Sequence, residues 1–346
     1  MNRPHRRAAA ALAAALTLVL APAAPAAAAT VHLDPADPAA LGRVPGNPDD
    51  PALRAAAPPP GVNDPACVPD PAHPEPVVLL HGTWSNQARW AYLADALRGR
   101  GHCVWTTNFG REPVSALGAP LRPWVHGNGD IRAAAGEVAA FIEEVRAATG
   151  APRVAVVGHS QAGALLKYYV NELGGAGRVS RMVVAAGSQH GTDMRGMSAL
   201  LWSMFGPVPE AAALVTGTAA LQQLDRSGFT AELDRLPDTV APIRYTVLVT
   251  ADDTTVTPPE SGFLEAAPGV DLVNLEVHAA CGGVAREIPH DRMTIDPAAV
   301  SLLVWGLERG PGEQAPPACA GDWAVDEDDL VDPVPAWDLF GSSGAA

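Results

Sequence analysis

Basic side chains are scarce in this sequence. Over 346 residues it carries 23 Lys and Arg against 38 Asp and Glu, a formal net charge of −15. Lys167 is the only lysine; with abundant Ala it matches a GC-rich genome and bears no functional weight. A chain this acidic repels phosphate backbones, which argues against nucleic acid as a partner. Long apolar runs are missing beyond the amino terminus and mean hydropathy is only +0.07, which excludes a multi-span membrane protein. Cysteine is limited to four residues with no C-x-x-C spacing, so no metal site is expected. No cofactor motif is present either, and none is expected. The length suits one large domain or two small ones and can bury a full core.

What is present begins with an export pattern. Arg3, Arg6 and Arg7 precede a short apolar stretch, Ala8 to Leu20, and then a small-residue run, Ala21 to Ala29, broken by Pro22 and Pro25. A positive start, an apolar segment too short to span a bilayer and small residues at its end predict a secretion signal over residues 1–29. Its removal takes three Arg and no acid, leaving 20 − 38 = −18. The expected location is extracellular, with no stable membrane anchor. In an exported chain an even cysteine count suggests two disulfides. Of the three pairings, nearest-neighbour Cys67–Cys103 and Cys281–Cys319 is preferred, because it closes two modest loops.

Residues 30–75 are crowded with proline and offer little to a core, so they read as an extended leader wrapping the domain, or as partly disordered. From residue 76 the pattern changes. Apolar strands are predicted at Val77–Leu80, Cys103–Trp105, Val154–Val157, Met182–Ala185, Tyr245–Val249 and Leu272–Val277. Helices are predicted at Gln87–Arg98, after Asp130 as a cap and ending at Gly150, after Ser160, and at Pro297–Leu307. Strands without a polar face, alternating with helices, indicate a parallel sheet covered on both sides, hence an α/β fold. Residues 191–242 break the alternation as a long, loop-rich apolar insertion. The tail over 320–346 is acidic and reads as a solvated end.

Chemistry concentrates at Gly158-His159-Ser160-Gln161-Ala162-Gly163, between a strand and a helix. A nucleophile elbow needs this layout: serine on a strained strand-to-helix turn, flanked by small residues where strand and helix approach. A serine that only caps a helix would not need those small neighbours. Leu80-His81-Gly82-Thr83-Trp84 follows the first strand, where the loop beside such an elbow supplies an oxyanion N–H. The pair of donors is then Thr83 and Gln161, and the Thr83 hydroxyl could add a third. Chain order calls next for an acid and then a histidine. Asp252 and Asp253 follow the fifth strand, and the residues themselves do not separate them. His290, in the loop before the last helix, is preferred as base over His278, which sits at the end of the sixth strand. His81, His159 and His190 stand out of order for a base and read as structural neighbours of the site.

In VVLLHGTW (77–84), GDIRAAAGEVAAFIEEVRAATGAPRVAVVGHSQAGALLKYYV (129–170), TADDTTVTPPESGFL (250–264) and the stretch from Cys281 through His290 to Cys319, the chain resembles the actinobacterial class-2 lipases. These are secreted lipases of the α/β-hydrolase superfamily. The resemblance covers most of residues 75–319 and implies an α/β-hydrolase domain over 76–319. It also implies triacylglycerol hydrolysis, Asp253 as the acid beside Ser160 and His290, and paired cysteines. The departure is Ala162, where relatives usually carry glycine.

Residues 191–228 are dense in Met194, Met197, Leu200, Leu201, Trp202, Met204, Phe205, Val208 and Leu214, in a chain only 5% aromatic. Such a stretch reads as a lid or acyl-binding wall rather than plain core packing. A carboxylesterase or polyester hydrolase with the same three residues is the alternative, and an inactive hydrolase-like binding protein a further one. The expected partner is an ester or lipid substrate at an interface, acted on by a monomer.

Overall fold

Apolar runs with no polar face can bury both sides of a strand, and the sheet is built from them. The structure is a computed structural model that describes residues 56–112, 115, 122, 124–206, 209–316 and 319. The predicted secretion signal, most of the leader and the acidic tail lie outside the described residues. Strands β1 (Val77–Leu80), β2 (Val104–Thr106), β3 (Val154–His159), β4 (Val179–Ala185), β5 (Arg244–Val249) and β6 (Leu272–Glu276) form one sheet in the order β2-β1-β3-β4-β5-β6. Every pairing is parallel.

Alternation along β1 feeds two apolar layers. Val78 and Leu80 join Val138, Ile142, Leu165 and Leu166 on one face, whereas Val77 and Leu79 join Leu93, Leu97, Leu302 and Leu303 on the other. Each fully buried Val or Leu contributes about 1.5–3 kcal/mol. The first layer is covered by α2 (Ile131–Thr149) and α3 (Gln161–Glu172), the second by α1 (Ala91–Gly99) and α9 (Pro297–Glu308). Asp130 caps α2 through bonds from the Arg132 and Ala133 N–H groups, and Gly150 ends it with a left-handed φ of 70°.

Four expectations change. The helix predicted over Gln87–Arg98 is divided into a 3-10 turn, Gln87–Trp90, and α1, because the Asn86 side chain caps the earlier turn. The described part of the leader does reach a core: Val62 and Ala56 are buried. Asn63 pairs with the edge strand β2, exchanging side-chain bonds with Thr106 at 2.8 and 2.9 Å. The insertion is less loop-like than its Gly and Pro content suggests. It holds α4 (Met197–Phe205), α5 (Pro209–Thr216), α6 (Thr218–Gln222) and α7 (Gly228–Leu233). A short helix, α8 (Val277–Ala280), takes Val277 and His278 off the end of β6, and a 3-10 turn, His290–Thr294, precedes α9. Both disulfides are formed, Cys67–Cys103 and Cys281–Cys319.

Candidate active site

The chain leaves β1 toward β2 on one side of the sheet and returns to β3 on the other, so the carboxyl ends of β1 and β3 border a topological switch point. Crevices at such points are where parallel sheets bind ligands. Thr83 and Ser160 lie there.

Ser160 joins β3 to α3 with φ 58° and ψ −122°, a conformation that a residue with a Cβ adopts only under constraint. The constraint is visible. Its N–H donates to the Ala185 carbonyl at 3.0 Å, and its carbonyl accepts from the Gly163 N–H at 2.9 Å. Although Ser160 occupies the N-cap position of α3, its hydroxyl makes no capping bond, so helix capping does not account for the residue. Two glycines make the turn fit. A Cβ on Gly82 would lie 2.8 Å from Ser160 Cβ, and one on Gly158 would lie 3.0 Å from Ala162 Cβ. The extra methyl of Ala162 therefore fills space that Gly158 leaves open.

The backbone N–H groups of Thr83 and Gln161 form no hydrogen bond among the described residues, which leaves both free for an anion. Gln161 Nε2 donates to Thr83 Oγ1 at 3.2 Å and to the Gly127 carbonyl at 2.8 Å. Gln223 Nε2 donates to the same hydroxyl at 2.7 Å. With two bonds accepted, the Thr83 hydroxyl must aim its own proton elsewhere. Sequence reasoning missed Gln223; the Gln222-Gln223 pair inside an apolar stretch was its one signal.

The adjacent aspartates point to different histidines. Asp253 is buried and accepts the His290 Nδ1–H at 2.7 Å, with the Thr255 and Val256 N–H groups on its other oxygen at 2.7 and 2.8 Å. Asp252 instead accepts from His278 Nε2 at 2.8 Å and from the Ile288 N–H at 2.7 Å. Burial disfavours a charged His290, but the Asp253 carboxylate outweighs it and raises the pKa above the ordinary value of 6.5.

Among the described residues Ser160 Oγ forms no hydrogen bond with His290. The two are brought together through their neighbours. His159 Nε2–H donates to the His290 carbonyl at 3.0 Å, and the two rings stand 4.8 Å apart. Nucleophile–base hydrogen bonds are often long or unformed before substrate binds. Burial, with His290 beside it, holds His159 well below the usual range, so it stays neutral. His81 is likewise held down at about 3 by burial, donating to the Gly82 carbonyl at 2.9 Å. His190 bonds Asp238 at 2.8 Å, a contact of the insertion rather than of Ser160. Arg89 anchors the loop of His290 through the Asp291 carboxylate and carbonyl at 2.8 and 2.9 Å.

A family profile described as alpha/beta hydrolase fold matches residues 75–224. No curated protein sequence matches the chain. Among solved structures it is similar to Aspergillus fumigatus lipase B, with a TM-score of 0.56 at 20% identity, over 83% of this chain and 62% of that one. It is also similar to the Bacillus licheniformis lipase BlEst2 in its propeptide form, with a TM-score of 0.50 at 15% identity, over 74% and 55%. The chain thus spans less than two thirds of the length of either lipase. At these identities the likeness speaks for the fold, and with the sheet order it establishes the α/β-hydrolase fold.

Proposed function

We propose that this chain is a secreted serine hydrolase of carboxylic esters, acting on acylglycerols through Ser160, His290 and Asp253. The observation that carries the reading is the strained turn at Ser160, next to two uncommitted N–H groups and a buried Asp253–His290 pair.

In the proposed reaction His290 takes the Ser160 proton as the oxygen attacks the ester carbonyl. Asp253 keeps the imidazole in the tautomer whose Nε2 is free and stabilises the imidazolium that results. The charge on the carbonyl oxygen falls to the Thr83 and Gln161 N–H groups, a donor pair worth several kcal/mol in a preorganised site. His290 then protonates the leaving alcohol, and water releases the acyl group by the same steps.

Support for acylglycerols comes from the insertion, which we read as a lid or acyl-binding wall. Met197, Leu200, Met204, Leu214 and Val215 expose 42–59% of their surface there. Exposed apolar patches of this kind mark binding surfaces. The Trp84 indole, directly after Thr83, donates to the Thr216 carbonyl at 2.6 Å and ties the insertion to the proposed oxyanion loop. A p-nitrophenyl ester series with and without an emulsified interface tests the reading. Preference for long acyl chains and a rate increase at the interface are expected, with no hydrolysis in Ser160→Ala. A preference for acetate or butyrate with no response to emulsion would replace acylglycerols with the shorter esters of a carboxylesterase.

A further inference from the structure

Three ligand-type side chains converge at the other end of the sheet. His73 lies in the segment entering β1, His102 in the turn entering β2, and Glu308 is the last residue of α9. This is the amino-terminal edge of the strands, whereas Ser160 and His290 stand at the carboxyl-terminal edge.

One donor atom from each residue lies within 4.8 Å of the other two. His102 Nε2 is 3.1 Å and His73 Nε2 3.9 Å from the same oxygen, Glu308 Oε1. The two imidazoles stand 4.0 Å apart, tilted by 52°. A tetrahedral cation with bonds of about 2.0–2.2 Å holds its ligand atoms roughly 3.3–3.5 Å apart. The existing spacing straddles that value, so side-chain adjustments suffice, with no movement of the strands.

The polar accounting of the cluster leaves the His73 imidazole open. Neither ring nitrogen of His73 makes a hydrogen bond among the described residues, and its Nδ1 is shut off from solvent. His102 is 7% exposed; its Nε2 bonds Glu308 Oε1 at 3.1 Å, and its Nδ1 is buried without a partner. A partly buried imidazole normally satisfies at least one nitrogen. Asp70 Oδ1 stands 3.6 Å from His73 Nδ1, the position of a carboxylate that orients a metal-bound histidine from behind. A cleft of about 200 Å³ lined by His73, Glu75, His102, Arg181 and Glu308 provides the approach.

We propose that His73, His102 and Glu308 bind one divalent transition-metal cation of the zinc class. Two imidazoles and one carboxylate are a donor set that suits zinc. The site would tie the proline-rich leader, already held by Cys67–Cys103, to the end of the last helix. Arg100 opposes this. It donates to Glu308 Oε1 at 2.7 Å and to Oε2 as well, so the cation must share the carboxylate with a guanidinium. The site is therefore structural and of moderate affinity, and ester hydrolysis does not depend on it. No metal was expected from the cysteine pattern, and the histidine signal is invisible in sequence because His102 and Glu308 are 206 residues apart.

The test is zinc binding to the chelator-treated full chain, read by calorimetry and by thermal melting. One zinc per chain and a raised midpoint are expected. In His73→Gln, at a position whose side chain is 21% exposed, affinity should fall at least tenfold and the midpoint should no longer respond, with the metal-free midpoint measured alongside. Arg100→Gln should bind zinc more tightly. Cobalt in place of zinc should give the visible absorption of a four-coordinate site in the wild type and not in His73→Gln. Absence of stoichiometric zinc binding, or binding unchanged in His73→Gln, would overturn the proposal.

Discussion

Asp252 and Asp253 are neighbours at the end of one strand, and adjacent side chains there point in opposite directions. One carboxylate meets His290 and the other meets His278. Asp253→Asn should cut turnover on the order of ten-thousand-fold, because the tautomer of His290 is no longer fixed. The base must be neutral to act, and its pKa is raised, so activity should fall as pH drops through that raised value. In Asp253→Asn the acid limb should move to lower pH, measured as kcat/KM against pH. Asp252→Asn should cost far less activity but should loosen the loop that Asp252 holds at Ile288. Burial pushes His278 down, and the Val284 carbonyl and Asp252 carboxylate outweigh it to raise its pKa above 6.5. A raised pKa means the pair stabilises the fold fully below 6.5 and loses that contribution as pH rises through the folded value. Melting of wild type against Asp252→Asn should therefore differ more at acidic pH than at alkaline pH. Reversed effects of the two substitutions on turnover would mean that Asp252 is the acid.

At the scale of elements, the central strands and the elbow were legible because burial on both faces leaves an unbroken apolar run. Val77–Leu80 is found as expected, and β3 and β4 extend two and three residues beyond their apolar runs. The insertion was not legible. α4 is apolar on most sides, interrupted only by Ser198 and Ser203, so no clear 3.6-residue period stands out. Gly196, Gly206 and Gly217, at the ends of these short helices, read as loop signals. Which of Asp252 and Asp253 meets His290 was legible only through resemblance, since both occupy the same loop. The contact of Gln223 with Thr83 was not, because it joins segments 140 residues apart. The disulfides carry a prediction at this scale. Each closes a loop of similar length, with separations of 36 and 38 residues, so loss of either should cost about 2–4 kcal/mol. The Cys281–Cys319 loop contains His290. Replacing that pair with serine should lower kcat more than replacing Cys67 and Cys103, at equal loss of melting temperature. Equal losses of kcat would mean that the link does not position His290.

For the molecule as a whole, the two edges of the sheet do different work. The carboxyl ends of the strands gather Thr83, Ser160, Asp253 and His290, the residues of the proposed reaction, and the amino ends gather the described part of the leader and the end of α9. The net charge of −15 disfavours anionic interfaces, which fits the neutral acylglycerols proposed as substrate. The proposed reaction depends on Ser160 being the nucleophile. The direct measurement is peptide mass mapping after inactivation with a p-nitrophenyl alkylphosphonate. A single phosphonyl adduct on Ser160 is predicted, formed in step with the loss of esterase activity and absent from both Ser160→Ala and His290→Ala. An adduct on any other residue, or inactivation that proceeds equally in Ser160→Ala, would contradict it.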